Sequence, residues 1–470
     1  MRASPCLLRL ACLFLILSTL PRARADHRRE RIDLMVKGGT VVTMDGKGRV
    51  LESGAVAVRD ERIVAIGPAA EISAKYQATR VLDATGRVVM PGLINTHTHA
   101  PMVLFRGLAD DLPLMEWLRQ YIFPAEAKNV DEDFVRWGTR LACLEMIQSG
   151  TTTFVDMYYF ESAIADETTK AGLRGVLGQA VIDFPAPDNK TWTDAMAACE
   201  KYVRRWKGHS LVTPAIAPHA PYTVSPEHLK EAHAFSVRHE VPLVIHVAET
   251  EAEVKTIRDK FKATPVAYLD GLGVLDERVV AAHGIWLEDD DIKTLARRSV
   301  GVAHCPHSNM KLASGVAPVP QLLRAGVAVG LGTDGAASNN DLNLWEEMDT
   351  AAKLHKLISK NPQVIPAREA MEMATIRGAQ AVHRDRDLGS LEEGKLADLI
   401  VVRMDSVHQV PLYNVYSQLV YATKSSDVDT VIINGRAIME NRRVLTIDEP
   451  AVVAKAREYR DKVRKSIAPK

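Results

Sequence analysis

The chain contains 470 residues, of which 47% are hydrophobic and 25% are charged. This composition is typical of a globular protein and argues against disordered, collagen-like and coiled-coil classes. Lysine and arginine together number 59, as do aspartate and glutamate, so no general basic field exists and nucleic acid is disfavoured as the main partner. The length allows a large hydrophobic core and more than one domain.

The first 25 residues have the features of a secretory signal peptide. Arg2 and Arg9 accompany an uncharged apolar run at residues 10–20, and the small-x-small sequence Ala23-Arg24-Ala25 predicts cleavage before Asp26. A run of this length is too short to cross about 30 Å of hydrocarbon as a helix. We therefore expect an exported protein, periplasmic or secreted, that has no stable membrane insertion once the signal is removed.

Cysteine usage does not indicate a disulfide framework. Cys6 and Cys12 would leave with the signal peptide, and the mature chain keeps Cys143, Cys199 and Cys305. A sparse, odd-numbered set is not typical of a disulfide-stabilised secreted protein. We expect these three residues to be buried and to act as small apolar side chains.

Both ends of the mature chain are rich in short β-type segments. Residues 26–89 contain apolar bursts separated by glycine-containing turns, and residues 387–446 repeat this style. We predict that the two segments together form one small β-sandwich domain. Residues 447–470 predict a C-terminal helix that begins after Thr446 or Asp448.

Between these segments, residues 90–386 alternate short apolar runs with stretches of helical periodicity. The runs number eight, and their ends are rich in histidine, aspartate, glutamate and glycine: LINTHTH, TTTFVDMY, RGVLGQAVID, VTPAIAPHAPY, VPLVIHVAET, VVAAHGIWL, VGVAHCPHS and VAVGLGTDGAAS. Eight buried strands that alternate with helices predict an α/β fold, the (β/α)8 TIM-like barrel. Such barrels place their sites at the C-terminal ends of the strands.

Ligand-type side chains occur at several of these strand ends. His97 and His99 end the first run, and residues i and i+2 of a strand face the same side, so the two imidazoles would lie together. His246 ends the fifth run, His283 the sixth and Asp334 the eighth. Satisfied core histidines are the alternative, but that explanation would have to hold at four strand ends. Imidazole nitrogens and a carboxylate suit a divalent metal ion such as zinc.

The motifs PGLINTHTHAP, HVAET, AAHG, LGTDGAASN and GSLEEGKLADLIVV resemble the amidohydrolase superfamily. The resemblance is greatest to its deaminase branch that acts on S-adenosylhomocysteine and 5′-methylthioadenosine, a neighbour of the triazine hydrolases. It covers essentially the whole mature chain. It implies a metal-dependent aminohydrolase that acts on C–N bonds other than peptide bonds, in cyclic amidines. Homo-oligomers are common in the superfamily, so the resemblance also allows a homo-oligomer.

The resemblance implies that His97, His99, His246 and Asp334 bind the metal. It gives His283 the role of polarising the attacking water. Superfamily members with two metal ions carry a lysine at the end of the fourth strand, whereas this run ends in PHAPY. We therefore expect one divalent ion, zinc.

Glu249 lies three residues after His246 in the motif HVAET. A hydrolytic deaminase must move protons, and a carboxylate beside the metal can relay one to a ring nitrogen or leaving group. In the expected mechanism Asp334 accepts a proton from the attacking water, Glu249 protonates the ring nitrogen and His283 stabilises the developing charge, before ammonia leaves. A compatible alternative role for Glu249 is to cap the helix that begins near Thr250.

Three further residues match substrate contacts of the resembled branch. Glu126 corresponds to a glutamate that holds ribose hydroxyls, and His219 to a contact with the purine or ribose. Trp117 lies in the segment RGLADDLPLMEWL, which is long enough to cover a ligand. The alternatives are a solvated helix residue for Glu126 and a packing aromatic for Trp117.

The chain departs from the branch after the third strand, where arginines of the branch grip the distal part of the substrate. Gln179 occupies one such position, Lys190 lies near the other, and no arginine occurs between Arg174 and Arg204. Lysine does not reproduce the bidentate fork of arginine. Deamination is therefore a firmer expectation than binding of the homocysteine end of a long substrate.

The leading hypothesis is a deaminase that releases ammonia from adenine-type nucleosides: 5′-methylthioadenosine, S-adenosylhomocysteine or adenosine. The alternative on the same residues is a hydrolase or deaminase of another amino- or halo-substituted heterocycle, such as a triazine or an oxidised guanine. A non-catalytic binding protein is disfavoured because Glu249 and Asp334 are both present. A two-metal cyclic-amide hydrolase is disfavoured because the strand-four lysine is missing.

Overall fold

The computed structural model describes Met1 and residues 29–467. Apart from Met1, the predicted signal peptide and the expected mature start at Asp26 lie outside the described residues, as do Cys6 and Cys12. Within the described part of the chain, no helix combines the length and apolarity needed to span a bilayer. The three cysteines of the expected mature chain are buried free thiols, as the sequence predicts.

The N-terminal segment forms seven strands and the short helix α1 (Ala69–Lys75). The strands are β1 (Glu30–Lys37), β2 (Thr40–Val42), β3 (Val50–Leu51), β4 (Gly54–Arg59), β5 (Arg62–Pro68), β6 (Tyr76–Asp83) and β7 (Arg87–Pro91). Four of them form a sheet in the order β5-β4-β1-β6. The other three belong to a second sheet that the C-terminal segment completes.

The next eight strands lie side by side in chain order in one parallel sheet. They are β8 (Leu93–Thr98), β9 (Thr151–Tyr158), β10 (Arg174–Val181), β11 (Val212–Pro218), β12 (Leu243–Val247), β13 (Val279–His283), β14 (Gly301–His304) and β15 (Val329–Leu331). The two outermost strands meet, since the Asn95 amide donates to Thr333 Oγ1 at 2.8 Å and the Asp334 N–H donates to the His97 carbonyl at 2.9 Å. The predicted (β/α)8 barrel is confirmed.

Helices connect and surround the barrel strands and pack their apolar faces against them. They are α2 (Leu114–Trp117), α3 (Phe123–Asn129), α4 (Glu132–Ser149), α5 (Glu161–Ala171), α6 (Trp192–Trp206), α7 (Pro226–His239), α8 (Glu251–Phe261), α9 (Pro265–Gly271), α10 (Asp289–Arg297), α11 (Pro306–Lys311), α12 (Val319–Arg324), α13 (Leu344–Ser359), α14 (Ala367–Met373) and α15 (Ile376–Ala381). A 3₁₀ turn at Ala100–Phe105 precedes α2, and a π-helical turn at Leu118–Ile122 joins α2 to α3. Polar caps begin several of the longer helices, as Asp131 does for α4 and Ser225 for α7.

The C-terminal segment completes the second sheet. Its elements are β16 (Leu399–Arg403), α16 (Val415–Tyr421), β17 (Val428–Ile433), β18 (Arg436–Glu440), β19 (Arg443–Val444) and α17 (Glu449–Ile467), with 3₁₀ turns at Val407–Gln409 and Ser425–Asp427. The strand order β19-β18-β17-β16-β7-β2-β3 combines both terminal segments. Apolar residues of the two terminal sheets, among them Val56, Val89 and Leu399, pack in one cluster. This arrangement agrees with a composite β-sandwich, and the exact domain boundaries stay a prediction.

Strand β7 of the second sheet leads directly into β8 of the barrel through Gly92. A Cβ atom at Gly92 would lie 2.1 Å from side-chain atoms of Thr152 in β9. The chain passes so close to β9 at this point that only glycine fits. Strand β7 is itself paired with β2 on one side and β16 on the other. The barrel strand that ends near His97 and His99 is therefore anchored in a sheet built from both terminal segments.

The last helix, α17, packs along α3 and α4. Asp448 accepts a hydrogen bond from the N–H of Ala451 at 3.1 Å, so the helix begins where the sequence predicts. The Tyr459 hydroxyl donates to the Asp133 carboxylate at 2.6 Å. The C-terminal helix thereby supports the helices next to the mouth of the barrel.

Candidate metal centre and active site

The strand ends bring the four predicted metal ligands together. Nε2 of His97 lies 3.4 Å from Oδ1 of Asp334, and Nε2 of His99 lies 3.3 Å from the same oxygen. Nε2 of His246 lies 3.4 Å from Nε2 of His99. His97, His246 and Asp334 are buried and His99 is half-buried. The predicted ligands therefore converge on one point at the mouth of the barrel.

This spacing fits a single metal ion. A tetrahedral zinc ion with ligand bonds of about 2.0–2.1 Å places its ligand atoms about 3.3–3.4 Å apart, which is the separation of the three atom pairs above. Among the described residues, Nε2 of the fully buried His97 ring finds no hydrogen-bond partner, and a buried unpaired ring nitrogen is costly unless something binds it. Three imidazoles and one carboxylate are a donor set that suits zinc. The residues present fit one divalent ion.

Backbone carbonyls orient two of the histidine rings. Nδ1 of His99 lies 2.7 Å from the carbonyl oxygen of Met157, and Nδ1 of His246 lies 2.7 Å from that of His219. A carbonyl oxygen can only accept, so Nδ1 carries the proton in both rings. Each Nε2 lone pair is then left to face the centre, as in other histidine metal sites.

The Asp334 carboxylate is held by three donors. It accepts hydrogen bonds from Ser308 Oγ at 2.6 Å, from Ser338 Oγ at 2.9 Å and from the N–H of Gly335 at 2.7 Å. Burial raises the pKa of Asp334, but the two contacting histidine rings outweigh this effect and hold it well below its ordinary value. Asp334 has φ of +62°, a conformation that aspartate tolerates better than most residues. The carboxylate is thus ionised and fixed in direction.

His283 lies beside the four ligands, where the resemblance places it. Its ring centroid is 5.4 Å from that of His97, and its ligand atom lies within 4.8 Å of those of His97 and Asp334. Nδ1 of His283 is 3.0 Å from Oδ1 of Asn309. With that oxygen as acceptor, Nδ1 carries the proton and Nε2 is free to accept a hydrogen bond.

Glu249 lines the same cavity as three of the predicted ligands, His99, His246 and Asp334. Its side chain is buried, and burial raises the pKa of its carboxyl group. The alternative role as a helix cap is wrong, because Thr250 caps α8 by accepting the N–H of Glu253 at 3.1 Å. Glu249 is therefore free to act on a ligand in the cavity.

The centre opens into a concave cavity walled by residues of the barrel strand ends and of the segment 114–126, the kind of place where small-molecule ligands bind. The predicted substrate contacts Trp117, Glu126 and His219 all line it. Much of the remaining wall is apolar or aromatic: Met102, Leu114, Leu118, Ile122, Phe123, Met157, Tyr158, Tyr159, Ala180, Tyr222 and Leu312. The cavity can thus enclose a flat, largely apolar ligand with a few polar groups.

Glu126 is 5% exposed, so the alternative of a solvated helix residue is wrong. The Tyr158 hydroxyl donates to its Oε1 at 2.6 Å. Burial raises the pKa of Glu126 to about 7, although the Tyr158 bond opposes the shift. Trp117 is also 5% exposed. It packs in the main hydrophobic cluster and also lines the cavity. Nδ1 of His219 lies within hydrogen-bond distance, 3.0 Å, of the Thr223 hydroxyl oxygen.

Gln179 and Lys190 do not take the place of the missing arginines. The Gln179 amide donates to Asp188 at 2.8 Å and accepts the N–H of Glu161 at 3.2 Å. Lys190 donates to a backbone carbonyl of its own loop at 2.8 Å. Neither residue lines the cavity, which Ala180 faces instead. The departure noted in the sequence is therefore a real difference in the cavity wall.

Sequence reasoning missed several residues that hold the site in place: Tyr158, Glu253, Ser308 and Ser338. Ser338 follows Asp334 by four residues in LGTDGAASN, and Ser308 lies in the CPHSN motif of the seventh strand. Their positions at strand ends are a usable signal, because such positions face the site in this fold. Tyr158 and Glu253 are identified only by their contacts.

A barrel of this kind, with histidine and aspartate ligands at its strand ends, defines a metal-dependent hydrolase. The model of the Amidohydrolase family matches residues 88–438. Residues 54–76 match an imidazolonepropionase-like composite domain of bacteria. The chain belongs to the amidohydrolase family, as its motifs predict.

Similar proteins come from several organisms. A 5-methylthioadenosine/S-adenosylhomocysteine deaminase of Syntrophobacter fumaroxidans is 51% identical over 427 residues, 91% of this chain and 97% of the relative. A 5′-deoxyadenosine deaminase of Methanosarcina acetivorans is 45% identical over 432 residues, 90% of this chain and 97% of the relative. The crystal structure of an adenosine deaminase from Xanthomonas campestris with bound zinc is 38% identical with a TM-score of 0.92, covering 93% of this chain and 100% of that one. The resemblance to the deaminase branch is confirmed.

Proposed function

We propose that the protein is a zinc-dependent deaminase that releases ammonia from adenine-type nucleosides. The observation that carries the proposal is the convergence of His97, His99, His246 and Asp334 at the base of the cavity that Glu249 lines. Hydrolytic deamination requires an activated water and a proton donor at the same ring. The names of the similar proteins support the same reaction class.

A divalent ion at this centre supplies Lewis acidity that lowers the pKa of a water molecule. Asp334, directed by its serine donors, accepts the proton from the attacking water. Nε2 of His283 accepts a hydrogen bond from the same water and orients it. Glu249 delivers a proton to the ring nitrogen, and burial raises the pKa of its carboxyl group, which favours the protonated form. Asp334 then passes the proton it took from water to the amino group, which leaves as ammonia, and the proton of the new hydroxyl group returns to Glu249 as the carbonyl forms.

The cavity wall favours binding of nucleosides with a short, uncharged 5′ group over binding of S-adenosylhomocysteine. No lysine or arginine is present among the described residues that line it. The amino-acid end of S-adenosylhomocysteine would lose hydration there without a cationic partner, which costs free energy. Glu126 offers acceptor oxygens to the hydroxyls of the ribose, which lies between the adenine and the 5′ group.

The test is ammonia release by the zinc-loaded chain that begins at Asp26. Adenosine, 5′-methylthioadenosine, S-adenosylhomocysteine, a guanine derivative and a melamine-type triazine are compared at equal concentration. We expect turnover of the adenine nucleosides, with 5′-methylthioadenosine ahead of S-adenosylhomocysteine. A Glu249→Gln preparation controls for contaminating deaminases. Turnover of the triazine or guanine compound, with no ammonia released from any of the three nucleosides, would contradict the proposal.

We also propose that the protein is exported and acts on a small molecule outside the cytoplasm. The arginines, the apolar run and the Ala23-Arg24-Ala25 sequence support export, and the balanced charge supports a small-molecule partner over nucleic acid. N-terminal sequencing after cell fractionation tests this. We expect Asp26 as the first residue in the periplasm or medium, and an intact Met1 in the cytoplasm would contradict export.

A further inference from the structure

A tight turn carries the chain from the end of β12 through Glu249 to the start of α8. Ala248 has φ of +53°, in the left-handed region that a residue other than glycine adopts only when its surroundings hold it. The carbonyl of Ala248 accepts the N–H groups of Ile285 and Trp286, each at 3.0 Å. One side of the turn is therefore tied to the segment that follows β13.

The Glu253 carboxylate holds the other side of the turn. Its Oε1 accepts the N–H of Ala248 and its Oε2 accepts the N–H of Glu249, both at 2.8 Å. In a capping box, the third residue of a helix reaches back to the N–H of the capping residue. Here the capping residue is Thr250, but the Glu253 side chain binds the N–H groups of the two residues that precede Thr250, which are Ala248 and Glu249. Its bonds therefore serve the turn that carries Glu249.

These bonds are made in a buried place, since Glu253 is 4% exposed. Burial raises the pKa of Glu253 to about 8 even though the backbone N–H bonds oppose the shift. Placing a carboxyl group there is costly, and capping alone does not require it because Thr250 already caps α8. The two bonds hold two successive peptide planes, because the N–H of Ala248 belongs to the peptide before that residue and the N–H of Glu249 to the peptide after it. The second of these planes leads directly into Glu249, so its direction affects where the Glu249 side chain extends.

We propose that Glu253 is a positioning residue for Glu249, holding the turn so that the Glu249 carboxyl group meets the substrate ring. Glu253 does not line the cavity, so it acts through Glu249 alone. The inference rests on the proposed function, because that function assigns the proton transfer to Glu249. Displacement of a catalytic group by 1 Å or less is enough to slow a reaction strongly.

The first test is Glu253→Gln. The amide keeps one acceptor oxygen but turns its NH₂ group toward the second backbone N–H, so one bond is lost and the turn shifts. We expect kcat to fall about 10–100-fold, with KM and bound zinc close to the parent values. The assay uses the nucleoside of the panel that is turned over fastest. Glu251→Gln, an exposed residue in the same helical turn, is the matched control and should leave kcat unchanged.

The second test is a double-mutant cycle. In a Glu249→Gln background, adding Glu253→Gln should cost almost no further rate, because the group that it positions is already inactive. Losses that multiply independently would overturn the proposal, since they would show a general structural effect. A substitution that disrupts the site in general would lower bound zinc and raise KM, and we expect both to stay close to the parent values.

The outcomes separate the two proposals. If Glu249→Gln keeps full activity, the assigned proton transfer is wrong. If Glu249→Gln is slow while Glu253→Gln matches the parent enzyme, only the positioning role fails. Should Glu253→Gln not fold, Glu253→Asp takes its place with the same expectations, since it keeps the carboxyl group but withdraws it by one methylene group.

Discussion

The floor and the cover of the cavity are built in different ways. The floor consists of side chains at barrel strand ends: His97, His99, His246, His283 and Asp334. Most of them have a second hydrogen bond that fixes their direction. The cover, residues 106–129, consists of α2, the π-helical turn and α3, and many of its residues are exposed. It is tied near its start by Asp110 to Lys311 and at its end by Asn129 to Ser466.

This difference separates the reaction from the choice of substrate. Side chains at the ends of paired barrel strands, fixed by second hydrogen bonds, are held precisely, and chemistry at a metal depends on such precision. Side chains on short, partly exposed surface segments can be substituted without disturbing the barrel core. We therefore expect substitutions in the floor to change kcat or metal content and substitutions in the cover to change KM.

The largest effect is expected for Asp334→Asn in the floor. Asparagine tolerates the positive φ and keeps the shape, but it removes the charge that the metal requires. We expect loss of zinc after dialysis and a fall in kcat/KM of about 10⁴-fold, because the metal contributes several kcal/mol. Elemental analysis and ammonia release measure the two effects. Asp290→Asn, at an exposed position of α10, is the control, and full zinc content with full activity in Asp334→Asn would refute the ligand role.

The next effect is expected for Glu249→Gln. The amide keeps the size of the side chain but cannot transfer a proton. We expect kcat to fall about 10²–10³-fold, the scale of general acid–base catalysis, with zinc content and thermal unfolding midpoint unchanged. Steady-state kinetics on the preferred nucleoside check this beside Glu251→Gln. A loss of zinc in Glu249→Gln would place the residue among the ligands instead.

The smallest effect is expected for Glu126→Gln in the cover. A hydrogen bond to a charged carboxylate contributes about 1.5–3 kcal/mol, so we expect KM for adenosine to rise about tenfold with little change in kcat. The rise should vanish with 2′,3′-dideoxyadenosine, which lacks the ribose hydroxyls. Glu132→Gln, exposed at the start of α4, is the control. A fall in kcat with unchanged KM would break the division between floor and cover.

The floor could be predicted from local sequence pattern, whereas Trp117 and Glu126 of the cover could be predicted only through the family resemblance. Histidines at i and i+2 on a strand share a face whatever the rest of the fold does, and parallel strands bring their ends to one edge, so His97, His99 and His246 follow from local pattern. Glu126 is different, because its burial depends on how α3 meets Tyr158 of β9. The bonds of Glu253 likewise depend on a left-handed residue at Ala248, which no pattern in HVAETEAE indicates.

The passage of β7 into β8 through Gly92 also has a consequence for synthesis of the enzyme. The sheet that anchors β8 includes β16, β17, β18 and β19, which leave the ribosome almost last. Asp334, the fourth predicted ligand, likewise emerges long after His97 and His99. A chain that ends before Asp334 therefore holds neither a finished anchor nor the complete predicted donor set. We expect activity only in molecules whose synthesis has run nearly to the end.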